Sequence, residues 1–173
     1  MASVTIRKEQ GDAGKNLLKA LKQLENKEVK IGWFPSAQYD NPERTPVAAV
    51  AAQNEYGNPS KRIPARPFIR PAIIRDSRKW LDLGESGVKA VLDGKTTINH
   101  VLEAIGQTVR ADIQSSIARV YTPVLKQRTI EARLARRSST GRLNKIQAQS
   151  ISKPLIDTGH MQATVSYEIS SAS

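Results

Sequence analysis

The strongest hydrophobic periodicity in the chain runs through residues 96–119, where an aliphatic side chain recurs every three or four positions. This spacing predicts one amphipathic helix of roughly 35 Å, with Thr96 or Thr97 as its N-cap. Gly106 lies inside the pattern and costs about 1 kcal/mol relative to alanine. A helix this long needs a surface to pack on, either a sheet or its own copies. The predicted buried residues are Ile98, Val101, Leu102, Ile105, Val109, Ile113 and Ile117.

Two shorter helices are predicted in the first third of the chain. Residues 12–26 align leucines on one face and lysines on the other, which is an amphipathic pattern. The second helix follows Thr45 as N-cap, with Pro46 at its first position, and ends at Gly57. It is rich in alanine, so another element can pack close to it.

A further helix is predicted to begin at Pro67 or Pro71 and to end near the LGESG turn at 83–87. One stripe of this helix is apolar and predicted to face inward, and the opposite face is basic. The inward stripe is Ile73, Ser77, Trp80 and Leu81, and the outward residues are Arg75, Arg78 and Lys79.

Two segments alternate apolar and polar residues with period two, which predicts half-buried strands. They are residues 29–34 and 163–169, near opposite ends of the sequence. Because they are natural antiparallel partners, the pattern predicts an α+β fold. In that fold a small antiparallel sheet packs against the long helix, with shorter helices and long extended loops.

Two stretches fit no regular element. Residues 57–71 contain four prolines and four basic residues, and we call them the connector. Residues 120–153 are polar and basic, with one helical fragment in which Ile130 and Leu134 share a face, and we call them the arm. A loop as long as the arm inside one domain is usually functional or ordered by a partner.

Composition narrows the class of protein. At 173 residues, one domain spanning 1–173 is expected. The chain has no cysteine, which rules out disulfides and cysteine zinc sites. No apolar run approaches the length of a membrane span and the N-terminus lacks a signal-peptide pattern, so we expect synthesis in the cytoplasm and no membrane contact.

The net charge of +11 is concentrated in two places. Residues 61–79 and 120–145 each carry seven basic residues against one acidic residue. Localised patches of this kind indicate a polyanion or an acidic protein surface as the partner, although many basic proteins carry such patches without a specific ligand.

Catalytic chemistry is sparse in the sequence. His100 falls on the polar face of the long helix, and the Asp157–Gly159 stretch before His160 is typical of a turn. The sequence has no metalloprotease, nucleophile-elbow, P-loop or dinucleotide-binding motif. We therefore expect neither enzymatic activity nor a cofactor or metal.

Three motifs, in order, resemble the neck or tail-completion proteins of long-tailed bacteriophages, including the Mu-type virion morphogenesis group. They are IGWF leading to VAAVAAQNEYG, then IPARPFIRPA, then TPVLKQRTIEAR followed by PLIDTGHMQATVSYEI, which together cover roughly 29–170. The resemblance implies a structural subunit of the virion neck or tail, assembled in the host cytoplasm. Such subunits form rings that join the head connector to the tail around the DNA channel, with six copies expected and twelve as the alternative.

The resemblance also suggests where subunits touch. Ring closure needs two different patches on each subunit, and the connector and the arm are the candidates, with other neck, connector and tail proteins as further partners. Proline-held side chains of the connector are expected to project toward a neighbour. The expected interface residues are Ile63, Arg66, Phe68, Arg70, Tyr121 and Leu125.

The arm's basic patch is predicted to meet either DNA in the channel or a neighbouring ring, and the sequence does not choose between them. Its residues are Arg133, Arg136, Arg137, Arg142 and Lys145. The alternative function is a small basic nucleic-acid-binding domain, which would bind naked nucleic acid with steep salt dependence.

Overall fold

A computed structural model describes residues 14, 15, 18, 22, 27–139 and 151–171, with side chains up to 136 in the longer range. Within these residues the chain is mixed helix and strand, as predicted. The order is β1 (Glu28–Gly32), α1 (Val47–Tyr56), α2 (Ile69–Leu92), α3 (Ile98–Ala118), α4 (Gln127–Ser139), α5 (His160–Ala163) and β2 (Ser166–Ser170). None of the described helices is long and apolar enough to cross a membrane.

The two predicted strands pair antiparallel, which confirms the sheet. Val29 lies opposite Ile169, and Ile31 lies opposite Tyr167. The alternation therefore places the apolar members of both strands on one face, and that face packs against α3. Because β1 and β2 come from opposite ends of the sequence, their pairing closes the fold.

Helix α3 is the long predicted helix, and its Thr97 cap is confirmed by a hydrogen bond that the threonine hydroxyl accepts from the His100 amide. One side of α3 packs on the sheet, and another packs on α2 in a helical hairpin. The main core lies where α3, α1 and the chain around 155–165 meet. Its buried members are Val47, Ala51, Phe68, Val109, Ile113, Ile117, Leu155, Met161 and Val165.

The predicted turn at LGESG is wrong, because α2 continues through it to Leu92. The two glycines of this stretch face α3. A side chain at Gly87 would lie 2.4 Å from Val101, so glycine there lets the two helices approach closely. The helix ends instead at Asp93 and Gly94, whose φ of +71° suits glycine.

The predicted inward stripe of α2 is also partly wrong. Trp80 packs against the core, but Ile73 and Leu81 are exposed, while Ala72 and Val91 are buried. The geometry of the hairpin with α3 decides this rotation. At α1, Gly57 is confirmed as the stop, whereas Pro46 occupies the N-cap position and Thr45 accepts a hydrogen bond from Asn41 instead.

The predicted helix 12–26 lies largely outside the described residues. The four that are described, at positions 14, 15, 18 and 22, are helical, and Leu18 is exposed.

The two glycines Gly106 and Gly84 are expected to respond in opposite directions to alanine. A Cβ at Gly106 would lie 2.5 Å from the Tyr167 ring, whereas at Gly84 the nearest atom is 3.8 Å away on Ile105. G106A should therefore lower the free energy of unfolding by about 1–3 kcal/mol. G84A should raise it by up to about 1 kcal/mol through helix propensity. Chemical denaturation of both variants measures this, and equal stabilisation by both would contradict the packing of Tyr167 on α3.

Candidate functional site

A buried carboxylate joins the two ends of the connector. Glu55, near the end of α1, is only 2% exposed. It accepts hydrogen bonds from the backbone N–H groups of Phe68, Ile69 and Arg70, at 2.7, 2.9 and 3.1 Å. These amides belong to the first turn of α2, where N–H groups have no partner within the helix. Glu55 is thus an anionic cap for α2, supplied by the preceding helix.

Arg70 completes this arrangement from the outer side. Its Nε donates to the Glu55 carboxylate at 2.9 Å, and its Nη2 donates to the Glu55 backbone carbonyl at 2.9 Å. The guanidinium also lies over the ring of Tyr56, 5.3 Å from its centre. The Arg70 side chain is partly exposed, as expected of an interface residue, but its guanidinium is bonded to Glu55 of its own chain.

The hydrogen bonds decide the charge state of Glu55. Burial alone would raise the pKa of this carboxyl, but the hydrogen bonds donated by Phe68, Ile69 and Arg70 together outweigh burial and hold the pKa below its ordinary value. The group is therefore ionised at neutral pH, and the fold gains stability from that charge.

Two of the connector residues expected to project outward are turned inward. Phe68 is fully buried in the core, with its ring edge-on to Trp33, and its carbonyl accepts from Ser116 at 2.6 Å. Arg66 is buried as well, and the projection of these two side chains toward a neighbour is a wrong prediction. The backbone of Phe68 is bonded to Glu55 of α1 and Ser116 of α3, which holds its ring inside the fold.

Arg66 instead joins the connector to the arm. Its Nε donates to the carbonyl of Pro123 at 2.8 Å, and its Nη2 lies 3.4 Å from the carbonyl of Val124. Its amide donates to the carbonyl of Asn54 at 2.6 Å. The two segments proposed as separate patches therefore lie together and form one continuous region.

The remaining connector is a tight backbone turn. Asn58 and Ile63 exchange backbone hydrogen bonds of 2.8 and 2.9 Å, and the Asn58 side chain accepts from Ser60 and Lys61. Gly57 has a φ of +78°, and a Cβ there would lie 2.8 Å from the Ala65 nitrogen. The Ile63 side chain is half-buried. The backbone hydrogen bonds between Asn58 and Ile63 therefore fix this turn.

The predicted basic patch of the arm is also rearranged. Arg133 is buried and donates to the carbonyls of four residues in the segment 151–156, at 2.8 to 3.2 Å. It is a structural residue that fixes α4 to this segment, so its placement in a surface patch is wrong. These four acceptors explain why α4 buries Arg133. Leu134, which is predicted to share an apolar face with Ile130, is exposed instead.

Arg136 is exposed, and its Nη2 pairs with Asp157 at 2.8 Å. Arg137 lies in α4, but its side chain is not among those described, and Arg142 and Lys145 lie outside the described residues. Whether this patch meets DNA or protein stays a prediction.

A polar cleft of about 380 Å³ separates α4 from the core, and half-buried Leu125 lies on its wall. Asp157 in this cleft is paired with Arg133 and Arg136. His160 places Nε2 2.9 Å from the Gln38 carbonyl oxygen, which can only accept, so this nitrogen is the donor of that hydrogen bond. Burial, followed by the charge of Asp157, raises the pKa of Tyr39 beside it. Asp157 and His160 are thus already bonded within the protein.

In the part of the chain that the structure describes, no three histidine or acidic side chains cluster in a way that could hold a metal ion. Ion pairs within the chain involve much of the basic patch at residues 61–79. Four of the seven basic residues in 61–79 pair with carboxylates. They are Arg70, Arg75, Arg78 and Lys79.

Aromatic and aliphatic side chains are exposed where the connector meets the arm. Tyr121 is 60% exposed and Val124 is 74% exposed, and both flank the carbonyls that bind Arg66. Lys153 lies over the Tyr121 ring, 5.5 Å from its centre. Together with Tyr56 and Arg70 they make what we call the connector–arm surface. Tyr121 and Arg70 are among the interface residues predicted from the sequence, whereas Val124 is not. The only signal of Val124 in the sequence is its position after Pro123.

No protein-family model matches the chain. No curated protein and no solved structure is significantly similar to it either.

Replacing Glu55 by glutamine should lower the free energy of unfolding by about 2–3 kcal/mol at neutral pH, because a neutral amide cannot replace an anion facing three N–H donors. The lowered pKa of Glu55 fixes the pH dependence. Its contribution is complete above the pKa of an unfolded glutamate and is lost as pH falls through the lower, folded pKa. Denaturation of wild type and E55Q at several pH values should show the gap closing in acid.

The matched control is E103Q, at an exposed glutamate on α3. It should change stability little at any pH. A gap between wild type and E55Q that stays constant down to strongly acidic pH would contradict the ionised cap.

Replacing Arg66 by alanine should release the arm from the connector, because the carbonyls of Pro123 and Val124 lose their donor. Limited proteolysis with trypsin should then cleave after Lys126 or Arg128 several times faster than in the wild type. The control is R62A, at an exposed arginine in the same connector, which should leave the rate unchanged. Equal rates in R62A and R66A would refute the link between the two segments.

Proposed function

We propose that the protein is a structural, ring-forming subunit of a bacteriophage neck or tail-completion complex that joins the head connector to the tail around the DNA channel. The observation that carries this proposal is the connector–arm surface, where exposed Tyr56, Tyr121 and Val124 sit on segments fixed by Glu55 and Arg66. Such a surface suits protein contact, and it carries the motifs on which the phage resemblance depends.

The rigidity of the connector–arm surface supports the proposal of a ring-forming subunit. A surface already ordered in the free subunit loses little conformational entropy when it meets a partner. Tyrosine is also enriched among the residues that dominate binding energy at interfaces. The prolines, the Asn58–Ile63 turn and the Glu55 cap each reduce the freedom of the connector before any partner arrives.

The structure changes how a ring would be built. Because Arg66 joins connector and arm, they form one patch of a head-to-tail contact, and the second patch lies elsewhere on the subunit. Six copies, with other neck, connector and tail proteins above and below, are part of the proposal. So is a location in the virion after assembly in the host cytoplasm.

The ion pairs favour this reading over a nucleic-acid-binding domain. Phosphate binding requires cations that are free to release counterions at the DNA backbone. Arg70, Arg75 and Lys79 are already matched by carboxylates of the same chain. The local charge of the first patch is therefore smaller than its sequence suggests.

The double substitution Y121D/V124D tests the proposal. Both side chains are exposed, so the fold should persist, with an unchanged circular dichroism spectrum. Electron microscopy of the purified wild type should show rings, and the double variant should lose them because buried carboxylates oppose the contact. The control is S86D/A111D, with two new carboxylates at exposed helical positions away from this surface.

Rings formed equally by Y121D/V124D and the control would contradict the role of the connector–arm surface. A wild type that forms no rings but binds duplex DNA with a steep salt dependence would favour the nucleic-acid-binding alternative.

A further inference from the structure

The outer side of α2 carries an apolar stripe that none of the described elements covers. Ile74, Leu81 and Val88 are spaced by seven residues, and Leu92 follows four residues later, so all four share one side of the helix. Ile74 is 83% exposed and Leu81 is 60% exposed. We call these four residues the α2 outer stripe. Single exposed apolar residues are ordinary, but a stripe over several turns marks a contact surface.

A groove of about 580 Å³ runs beside this stripe, between α2 and α3. Its walls come from Trp80, Leu81, Val88, Leu92 and Ile105. Gly84 also lines the groove and has no side chain to fill it. The groove therefore offers a space for a large aliphatic side chain next to Leu81.

Two exposed charges of opposite sign flank the stripe, one before and one after Leu81. Arg78 lies three residues before Leu81, and Glu85 lies four residues after it. The Arg78 side chain is paired with Asp82 on the same helix, in the (i, i+4) geometry of a solvated pair. Arg78 and Glu85 are themselves seven residues apart, on the same flank of the stripe.

This arrangement is self-complementary when a second copy of α2 lies antiparallel, crossing at Leu81. In that register Leu81 meets Leu81 of the other copy, and Ile74 meets its Val88. Arg78 then lies on the same flank as Glu85 of the second copy, about 1.5 Å away from it along the helix axis. The pair occurs twice by symmetry. A parallel register would instead place Arg78 level with Arg78 and Glu85 level with Glu85, which is unfavourable.

We propose that the α2 outer stripe is the contact of a two-fold symmetric pair, in which two copies of this chain pack their α2 helices antiparallel. The occupant of each groove is Leu81 of the other copy. Two-fold contacts use the same patch on both subunits, and one helix face with charges of both signs about a central leucine meets that requirement. The pairing does not rest on the proposed function, since it uses none of the connector–arm surface.

Cysteine cross-linking tests the register directly, because the chain has no cysteine of its own. L81C should form a disulfide-linked dimer under mild oxidation, at a protein concentration where S86C does not. Ser86 is exposed on α2, about 140° around the helix from Leu81. I74C and V88C should each fail to link alone and should link to each other when mixed. Linking of I74C to itself would overturn the antiparallel register.

Charge reversal is a second, independent test of the pairing. In the Y121D/V124D background, which removes the rings but leaves the pair, R78E and E85R should each shift the sedimenting species from dimer toward monomer, because each places two like charges together. Adding R78E and E85R together should restore the dimer. Failure of the double variant to restore it would overturn the proposed Arg78–Glu85 contact.

L81E should abolish pairing but leave the rings of the proposed function intact, whereas Y121D/V124D should leave the pair intact. A wild type that stays monomeric and gives no L81C link would overturn the pairing and assign the stripe to another occupant.

Discussion

The carboxylate of Glu55 at the start of α2 is the interaction on which the connector depends. It is buried, ionised and bound by three consecutive backbone amides and by Arg70. A buried charge is tolerated only when its hydrogen bonds are satisfied, so Glu55 and the first turn of α2 specify each other. Their meeting places Phe68 in the core, fixes the direction of α2, and leaves the turn between them no freedom to fold elsewhere.

Arginines serve the same purpose elsewhere in the chain. Arg66 bridges the connector to the arm, and Arg133 gathers the carbonyls of 151–156 under α4. Irregular segments leave carbonyls without a ladder partner, and a guanidinium with five donors can satisfy several at once. Part of the charge of +11 therefore stabilises the subunit internally. Net charge alone overstates the attraction of the surface for polyanions.

The two proposed contact surfaces differ in kind. The connector–arm surface is aromatic, rigid and built from irregular backbone, which suits a head-to-tail contact with a different patch. The α2 outer stripe is one regular helix face with charges of both signs about Leu81, which suits a symmetric contact with itself. With these two surfaces and the second patch of the head-to-tail contact, a subunit can build a ring and also join two rings or two subunits back to back.

The sequence by itself determined the elements with strong local signals. The period of 3.6 gave α3 and its Thr97 cap, the period of two gave β1, β2 and their pairing, and Gly57 ended α1. Burial decided what local pattern could not. LGESG reads as a turn, yet it is helical because α3 requires the close approach that Gly87 permits. Phe68, Arg66 and Arg133 read as exposed, yet they are buried because their partners lie 13 to 58 residues away in sequence. Such partners become visible only when the chain is folded, since a hydrogen bond between distant segments leaves no periodic trace in the sequence.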